Sequence, residues 1–498
     1  MAKREYLLGI DLGTTYLKAC VFERDSGRAV AHGGVRLPVR TIGAGGREQD
    51  MPVVLRALQR IARRLQNAHP AAWARIAGTG VASQGGSSVI AARGGAPRTP
   101  MLLWNDARAY AHLADVLKLL PAPFWRKVAL RDAPAHGLAR ILWLQKERPE
   151  AFDELRGDAL HVGAGDFLYF TLTGVWRQEA GSAIQIGAYN AVAEKLDARP
   201  LNAVGLSLDS VPPLREGDTT SPLSVRGAAL LGLRAGIPVA GPYIDQEAGY
   251  RCAAATTAAP LHASLGTAWV GNFQVDKRKA GYAPYQLVLP APDRGKRLIV
   301  LPLLTGNAAW DWALREFAGG VNARALAKAN ALLESEPFPH AGLHFLPWSA
   351  QENPLLAGAY GGGAFVGMST NTAREDFLSA SALGLVCEFA RVFAELRDKR
   401  IVKSVVLNGG ASKSGYFRRL MASLLAPLPV LWQTDSDLAG ARGALVAFDS
   451  GASRGVLKRV PLPGGRFHAE ARQRAAEYNT IVERLYGHVR AGRPYTLR

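Results

Sequence analysis

The sequence predicts an α/β protein of two related domains facing a shared cleft, and three observations carry that reading. Its 498 residues exceed what one hydrophobic core usually supports. A Leu-Gly-Thr turn between strand-like runs occurs twice, at Leu12-Gly13-Thr14 and Leu265-Gly266-Thr267. So wide a separation fits two related domains rather than a solenoid, whose period would be about 20 to 50 residues. In the later half, a strand-like run ends in Asn408-Gly409-Gly410 and enters a helical pattern, an arrangement that brings backbone N–H groups close to phosphate.

The elements follow in order. Tyr6 to Leu12 is a short apolar run that stops at Gly13-Thr14-Thr15. Leu17 to Phe22 then alternates, Asp25-Ser26-Gly27 supplies a turn and Ala29 to Leu37 returns, which predicts a β-meander with a phosphate-sized loop at its first bend. Val54, Leu58, Ile61 and Leu65 fall at helical spacing, with Arg56, Arg60, Arg63 and Arg64 largely off that stripe and hence in solvent. Ile76 to Ala82 reads as a buried strand running into Ser83-Gln84-Gly85-Gly86-Ser87-Ser88. Leu138 to Lys146 is helical, and Pro212-Pro213 with the Gly-Asp-Thr-Thr run after it reads as surface connection. The pattern restarts at His262 to Gly271. A helix through Leu385, Phe389, Val392, Phe393 and Leu396 leads to a strand at Ser404 to Leu407, the glycine pair, and a helix through Phe417, Leu420, Met421 and Leu424. A strand at Val430 to Gln433 and an Ala/Gly-rich helix from Ala439 to Phe448 close the series, with Gly440 and Gly443 permitting close backbone approach.

Composition narrows the classes. No apolar run approaches the roughly 20 residues of a membrane span, and Met1 to Tyr6 passes from charged residues into a strand-like segment without a signal-peptide core. A soluble cytoplasmic protein with no membrane partner is expected. Cys20, Cys252 and Cys387 are scattered without CxxC spacing, so neither a disulfide framework nor a zinc site is indicated, and each reads as a buried small hydrophobe. The net charge of +19 would attract polyanions. The arginines are nevertheless spread among Ala, Gly and Pro rather than gathered with aromatics, which argues against dedicated nucleic-acid binding. They are densest near the C-terminus (Arg454, Lys458, Arg459, Arg466, Arg472, Arg474, Arg484), where a solvated helical face accounts for them.

Phosphoryl transfer asks for charge neutralisation and in-line placement more than covalent chemistry. Gly13 lets the backbone approach phosphates, Thr14 and Thr15 offer hydroxyl and N–H donors, Lys18 adds a point charge, and Asp11 is suited to holding a magnesium ion through water. Gly266 and Thr267 would act alike in the second domain, although either loop alone also reads as an ordinary turn. Transfer to a hydroxyl further benefits from a carboxylate that takes the proton. Asp245, in Tyr243-Ile-Asp245-Gln246, follows an apolar run shortly before the second Leu-Gly-Thr. By spacing it is either that base or the cap of the helix that follows.

Gly9-Ile-Asp11-Leu-Gly-Thr-Thr15, Arg47-Glu48-Gln49-Asp50, Leu102-Leu-Trp104-Asn105-Asp106-Ala-Arg108, Asp166 to Gly174, Asp245-Gln246, Ser264-Leu-Gly-Thr267 and Asn408-Gly-Gly-Ala411 together resemble the FGGY carbohydrate kinase family, most closely its xylulokinase-like pentulose branch. The motifs stand in family order. The resemblance implies two actin/hexokinase-like (ribonuclease H-like) domains with an interdomain active-site cleft: residues 1–243 for the sugar, 244–455 for the nucleotide, and 456–498 as a basic helical tail. It implies ATP and Mg2+, and γ-phosphoryl transfer to a hydroxyl of a small sugar or polyol. A pentulose is the expected acceptor; glycerol, a tetritol, a hexulose, or a non-catalytic sugar-binding regulator are the alternatives. Asp245 matches the catalytic base and Gln246 its substrate-side neighbour, while Asp11 would organise magnesium. Gly13, Thr14, Thr15, Lys18, Gly266 and Thr267 would surround the phosphates, and Gly409 and Gly410 match the adenosine-side loop. Gln84, Trp104, Asn105 and Asp106 fall on the substrate side, where Trp104 is either a sugar-stacking face or core. A homodimer is left open by the sequence.

Two departures bear on the acceptor and on local packing. Xylulose kinases resemble Gly-Gln-Met-His-Gly at the substrate loop and glycerol kinases Asn-Gln-Arg-Glu-Thr, whereas this chain reads Ser83-Gln84-Gly85-Gly86-Ser87. Either the pocket has room there or other residues fill it, and a standard glycerol kinase is not expected. Glu352 stands where an arginine is usual, for which local repacking is expected.

Overall fold

The computed structural model describes residues 5–487 apart from 44, 280, 282, 284, 304 and 349–361, together with Tyr495, so Glu352 lies outside the described residues. Contacts divide the chain into two compact units, one of residues 1–256, 287–294 and 437–455, the other of 257–286, 295–436 and 456–498.

In the first unit β1 (Tyr6–Leu12), β2 (Tyr16–Glu23) and β3 (Ala29–Arg36) form the expected meander, with antiparallel pairing throughout. α1 (Met51–Ala68) buries Val54, Leu58, Ile61 and Leu65 and leaves Arg56, Arg60, Arg63 and Arg64 exposed, as its helical stripe predicts. β4 (Ile76–Ser83) returns parallel to β1 with Ser83 opposite Leu12. After α2 (Ala164–Thr173), β5 (Pro238–Ile244) runs parallel to β4 on its other side and leads directly into α3 (Asp245–Ala254). The strand order is Ser221–Pro222, β5, β4, β1, β2, β3. β1 and β4 are apolar on both faces because both faces are covered.

The second unit repeats the plan. β6 (Pro260–Leu265) pairs antiparallel with β7 (Trp269–Asp276), and β7 with β8 (Lys296–Pro302). α4 (Asn307–Ala318) and α5 (Arg374–Val392) follow, then β9 (Ser404–Asn408), parallel to β6. α6 (Gly415–Leu424) leads to β10 (Val430–Gln433), parallel to β9. α7 (Ala439–Gly443) belongs to the first unit, and β11 (Leu457–Arg459) closes the second sheet antiparallel to β10. Within this unit the order β8-β7-β6-β9-β10-β11 has the same run of pairings as β3-β2-β1-β4-β5 with its edge strand. The two Leu-Gly-Thr turns therefore occupy the same bend of two like sheets.

α8 (Gly465–Tyr486) is the last helix among the described residues. Its Tyr478 is buried and donates to Glu388 Oε2 at 2.9 Å. Arg391, 2.8 Å from Oε1, holds the Glu388 carboxyl below its ordinary range despite burial. Arg466, Arg472 and Arg484 face solvent as the charge pattern predicts, whereas Arg474 is half-buried against Glu470. The three cysteines are buried and unpaired by disulfides. Among the described residues no helix is long and apolar enough to cross a membrane.

One local expectation changes. The 439–448 segment is not one helix: α7 stops at Gly443 and a tighter turn covers Val446–Phe448. α7 is pressed onto its neighbours, since a Cβ on Gly443 would lie 1.8 Å from the Ala248 carbonyl oxygen and one on Gly9 2.2 Å from that of Ala441. The segment after Pro212 is the expected surface connection, exposed from Glu216 to Thr220, although Pro212 itself is buried and Asp218 pairs with Arg251 at 2.8 Å.

Candidate active site

β1, β4 and β5 are parallel neighbours, so their C-terminal ends share one edge of the first sheet, where ligands of open α/β sheets usually bind. Asp11 is the penultimate residue of β1 and Asp245 the first after β5. Asp245 Oδ1 accepts the Gln246 N–H at 2.8 Å, and the Gly85 N–H also bonds this carboxylate. Burial pushes the Asp245 pKa up to about 7, and the neighbouring Asp11 charge pushes the same way against those two donors. Burial also raises Asp11, opposed by Lys18. Both carboxylates remain partly exposed although protein surrounds most of each, so they are desolvated and still reachable. Gly440 makes room for Asp11, whose Oδ2 would lie 2.6 Å from a Cβ there. Lys18 Nζ donates to the Asp437 carbonyl at 3.2 Å.

The Asp245 side chain does not cap α3 from outside. Ile244 holds the N-cap position, and Asp245 is the first helical residue, placing its charge where the helix dipole favours it.

Around this pair the substrate-side residues brace one another. Thr14 Oγ1 donates to Gln84 Oε1 at 2.7 Å and accepts the Trp104 indole N–H at 3.0 Å. Ser87 Oγ donates to the same Gln84 oxygen at 3.1 Å and accepts the Trp104 backbone N–H at 2.9 Å. The single proton of the Thr14 hydroxyl is thus spent on Gln84. Gly13 donates its N–H to the Tyr16 carbonyl at 3.0 Å, closing the hairpin, and Thr15 is exposed. Trp104 is half-buried with its indole N–H occupied. Asp106 is buried and taken up by the Arg47 N–H at 2.8 Å and the Arg108 guanidinium at 2.6 Å. Gln84 Nε2 and Asn105 Oδ1 are buried without a protein partner.

In the second unit the two glycine loops meet. Gly409, at φ +89°, lies so close to the Leu265–Gly266 peptide that a Cβ would stand 2.7 Å from the Leu265 carbonyl oxygen. Asn307, which sequence reasoning missed, ties the loops together: its N–H donates to Gly266 O at 3.1 Å, its Nδ2 to Leu265 O at 3.2 Å, and its Oδ1 accepts the Trp269 indole at 3.1 Å. The same Nδ2 would be 3.2 Å from a Cβ on Gly410, while Thr267 stays exposed. Asn408 Oδ1 accepts the Gly409 N–H at 2.6 Å. Its amide nitrogen lies 3.3 Å from buried His262, which burial holds neutral with a pKa down at about 4.

The glycine substitutions of the substrate loop have a structural answer at one position. A Cβ on Gly85 would lie 2.2 Å from Ile244 Cδ1, so the isoleucine before Asp245 fills that space. Among the described residues no three His, Cys, Asp or Glu side chains form a metal cage. Asp11, a single reachable carboxylate, fits a magnesium ion that keeps water and takes further ligands from phosphate.

Two family models match the chain: the FGGY family of carbohydrate kinases, N-terminal domain, over residues 6–252, and the C-terminal domain of the same family over 303–448. An L-xylulose/3-keto-L-gulonate kinase of Escherichia coli (strain K12) is 24% identical, covering 97% of this chain and 98% of its own. A xylulose kinase of the same strain is 26% identical over 96% and 98%. The crystal structure of xylulose kinase from Rhodospirillum rubrum superposes with a TM-score of 0.82 at 19% identity, covering 97% of this chain and 100% of that one. The fold is therefore the two-domain actin/hexokinase-like one.

Proposed function

The chain belongs to the FGGY family of carbohydrate kinases and is an ATP-dependent sugar phosphotransferase, and we propose that its acceptor is a pentulose and its general base Asp245. The observation that carries the base is the desolvated place of Asp245 beside Asp11: burial first, and then the Asp11 charge, lift it to about 7 while two backbone N–H groups hold it. A base with a pKa near the working pH combines a useful deprotonated fraction with real proton affinity. The acceptor oxygen bonds the γ-phosphorus, the bond from that phosphorus to the bridging oxygen breaks, ADP leaves, and the acceptor proton passes to Asp245.

Asp11 would hold magnesium, and the chemistry a bound magnesium ion supplies is neutralisation of charge on the phosphate oxygens. Gly13, Thr15, Lys18, Gly266 and Thr267 are proposed for the phosphates, and Gly409 and Gly410 for the adenosine. Thr14 acts through its backbone and by fixing Gln84, since its hydroxyl is committed. Gln84 and Asn105, each with a buried polar atom lacking a protein partner, and Gln246 beside the base are proposed to hold acceptor hydroxyls. Asp106 shapes that side through Arg108. The xylulose kinases among its relatives support a pentulose, and the loss of the Arg-Glu pair speaks against glycerol.

The test is ADP release from purified protein with ATP and magnesium over pentuloses, hexuloses, tetritols and glycerol, with Asp245→Asn as control. The highest kcat/KM is expected for a pentulose; no release with any acceptor would overturn the kinase reading.

A further inference from the structure

Behind the substrate loop of the first unit, Gly86, Ser87, Ser88, Arg140, His161 and Gln185 line a small polar pocket with room for about one water-sized group. Three of the side-chain atoms on these residues are buried without a hydrogen-bond partner: Arg140 Nε, His161 Nε2 and Gln185 Oε1. Arg140 is 2% and His161 6% exposed, so bulk water does not satisfy them. Leaving such atoms unpaired costs about 1 to 3 kcal/mol each, which argues for a polar occupant.

Their chemistry defines that occupant. Arg140 is anchored by Nη1 to the Gly86 carbonyl at 2.6 Å and by Nη2 to the Leu103 carbonyl, and its Nε–H is an unused donor. His161 is held neutral by burial and by the Arg140 charge, which bring its pKa down to about 3. Its ring bonds its own backbone, and because Nε2 has no partner the bonded nitrogen is Nδ1, leaving Nε2 a bare acceptor. Gln185 Oε1 is a second acceptor. One donor and two acceptors suit a hydroxyl, which accepts from Arg140 and donates to His161 or Gln185. A carboxylate, acceptor only, would face two lone pairs.

The pocket also adjoins the loop that bonds the proposed base. Gly85 bonds the Asp245 carboxylate and the next residue, Gly86, lines the pocket. At φ +78°, with Trp104 Cβ 3.0 Å and Gln185 Cδ 3.4 Å from where its Cβ would be, Gly86 is a position that only glycine fits, and Trp104 and Gln185 pack against it. We propose that this pocket is a hydroxyl subsite that takes an acceptor hydroxyl remote from the transferred phosphoryl group, and so selects neutral polyhydroxy acceptors over those with a carboxylate at that end. The proposal rests on the kinase reading above and deepens it.

The experiment measures kcat/KM by ADP release for the best neutral acceptor of the panel, its analogue lacking the remote terminal hydroxyl, and an aldonate of the same length. Wild type is expected to use the deoxy analogue about 100-fold or more less well, because the pocket's polar atoms are then unpaired. Gln185→Leu should bring the parent-to-deoxy ratio towards one by lowering kcat/KM for the parent more than for the analogue. Equal use of parent and analogue by wild type would mean the pocket holds water only. An equal loss for both in Gln185→Leu would make that residue structural, and preference for the aldonate would reverse the selection. Each of these overturns the subsite while ADP release still stands. Absence of ADP release with any acceptor overturns the kinase reading, and the subsite with it.

Discussion

The two units share a strand order and pairing pattern and differ in what stands at the ends of their strands. Aligned on Leu-Gly-Thr, Asp11 of β1 corresponds to Ser264 of β6. In the first sheet Asp11 lies opposite Ala82, and in the second Ser264 lies opposite Asn408. The first unit thus gathers carboxylates raised by burial, Asp11 and Asp245. The second gathers neutral amides around a neutral histidine: His262 between Asn272 at 3.0 Å and Asn408 at 3.3 Å. The glycine pair follows β9 at once but comes one residue later after β4, and the extra residue is Gln84. One frame serves two purposes. Charge is concentrated where a proton is proposed to be accepted, and uncharged backbone donors are presented where phosphate and nucleoside are proposed to sit.

The comparison breaks most sharply at Asp245. Asp245→Asn should keep the fold and lower kcat by about 10²- to 10⁴-fold, the usual range for a lost general base. Steady-state kinetics with the best acceptor checks this, and an unchanged rate would leave the acidic edge without its assigned purpose. Wild-type kcat should rise with pH through about 7 and then level, since the proposed base would act deprotonated.

Next in size is the packing that supports the acidic edge. Gly443→Ala would place a Cβ 1.8 Å from a main-chain oxygen, which no side-chain rotation relieves. Overpacking of this kind costs about 1 to 3 kcal/mol or more. Gly465, at the start of α8 with nothing within 4 Å of its Cβ position, provides the contrast. There Gly→Ala should stabilise by about 0.4 to 1 kcal/mol. Chemical denaturation of both variants reads the difference.

In the second unit Asn408→Ala removes the acceptor of the Gly409 N–H and the neighbour of His262. A stability loss of about 1 to 3 kcal/mol is expected, from groups left buried and unpaired. KM for ATP should rise more than KM for the acceptor; the reverse would detach Asn408 from the proposed nucleotide loops.

Much of this frame was legible in the sequence. The meander, the α1 stripe, the buried β4 and the two equivalent bends follow from periodicity and turn residues, which are local signals. Asp245 was legible as either base or cap. The chemistry that sequence could not supply depends on partners far apart along the chain. Thr14 looks like a free donor until Gln84 and Trp104, 70 and 90 residues on, take its hydroxyl. Gly85 looks like empty space until Ile244 fills it. Arg140 sits inside an ordinary helical pattern, and nothing nearby announces that it reaches the Gly86 carbonyl. α7 ends early for a similar reason, because its glycines are set by the main chain they touch rather than by helix propensity.

The smallest effect separates Asp245 from His262 by the sign of their response to pH. Asp245 titrates at about 7 in the folded protein against an ordinary 3.8. Between those values the folded state keeps a proton that the unfolded chain releases, so this group lowers stability as pH rises from about 4 to about 7, and not further above. His262 does the opposite. Its folded value of about 4 lies below the ordinary 6.5, so the unfolded chain binds the extra proton and stability rises with pH across that window. In wild type the two slopes oppose. Asp245→Asn removes only the falling one, so its Tm should climb more steeply than wild type from pH 4 to 6.5. Solvent screening of a partly exposed carboxylate limits the gain. Above pH 7 we expect about 1 kcal/mol, or about 2 to 4 °C in Tm, shrinking to nothing below pH 4. Thermal melts without nucleotide at pH 4, 6 and 8 check it. A variant whose Tm tracks wild type at all three would mean that Asp245 is not held above its ordinary range, and the acidic edge would then differ from its neutral counterpart in geometry alone.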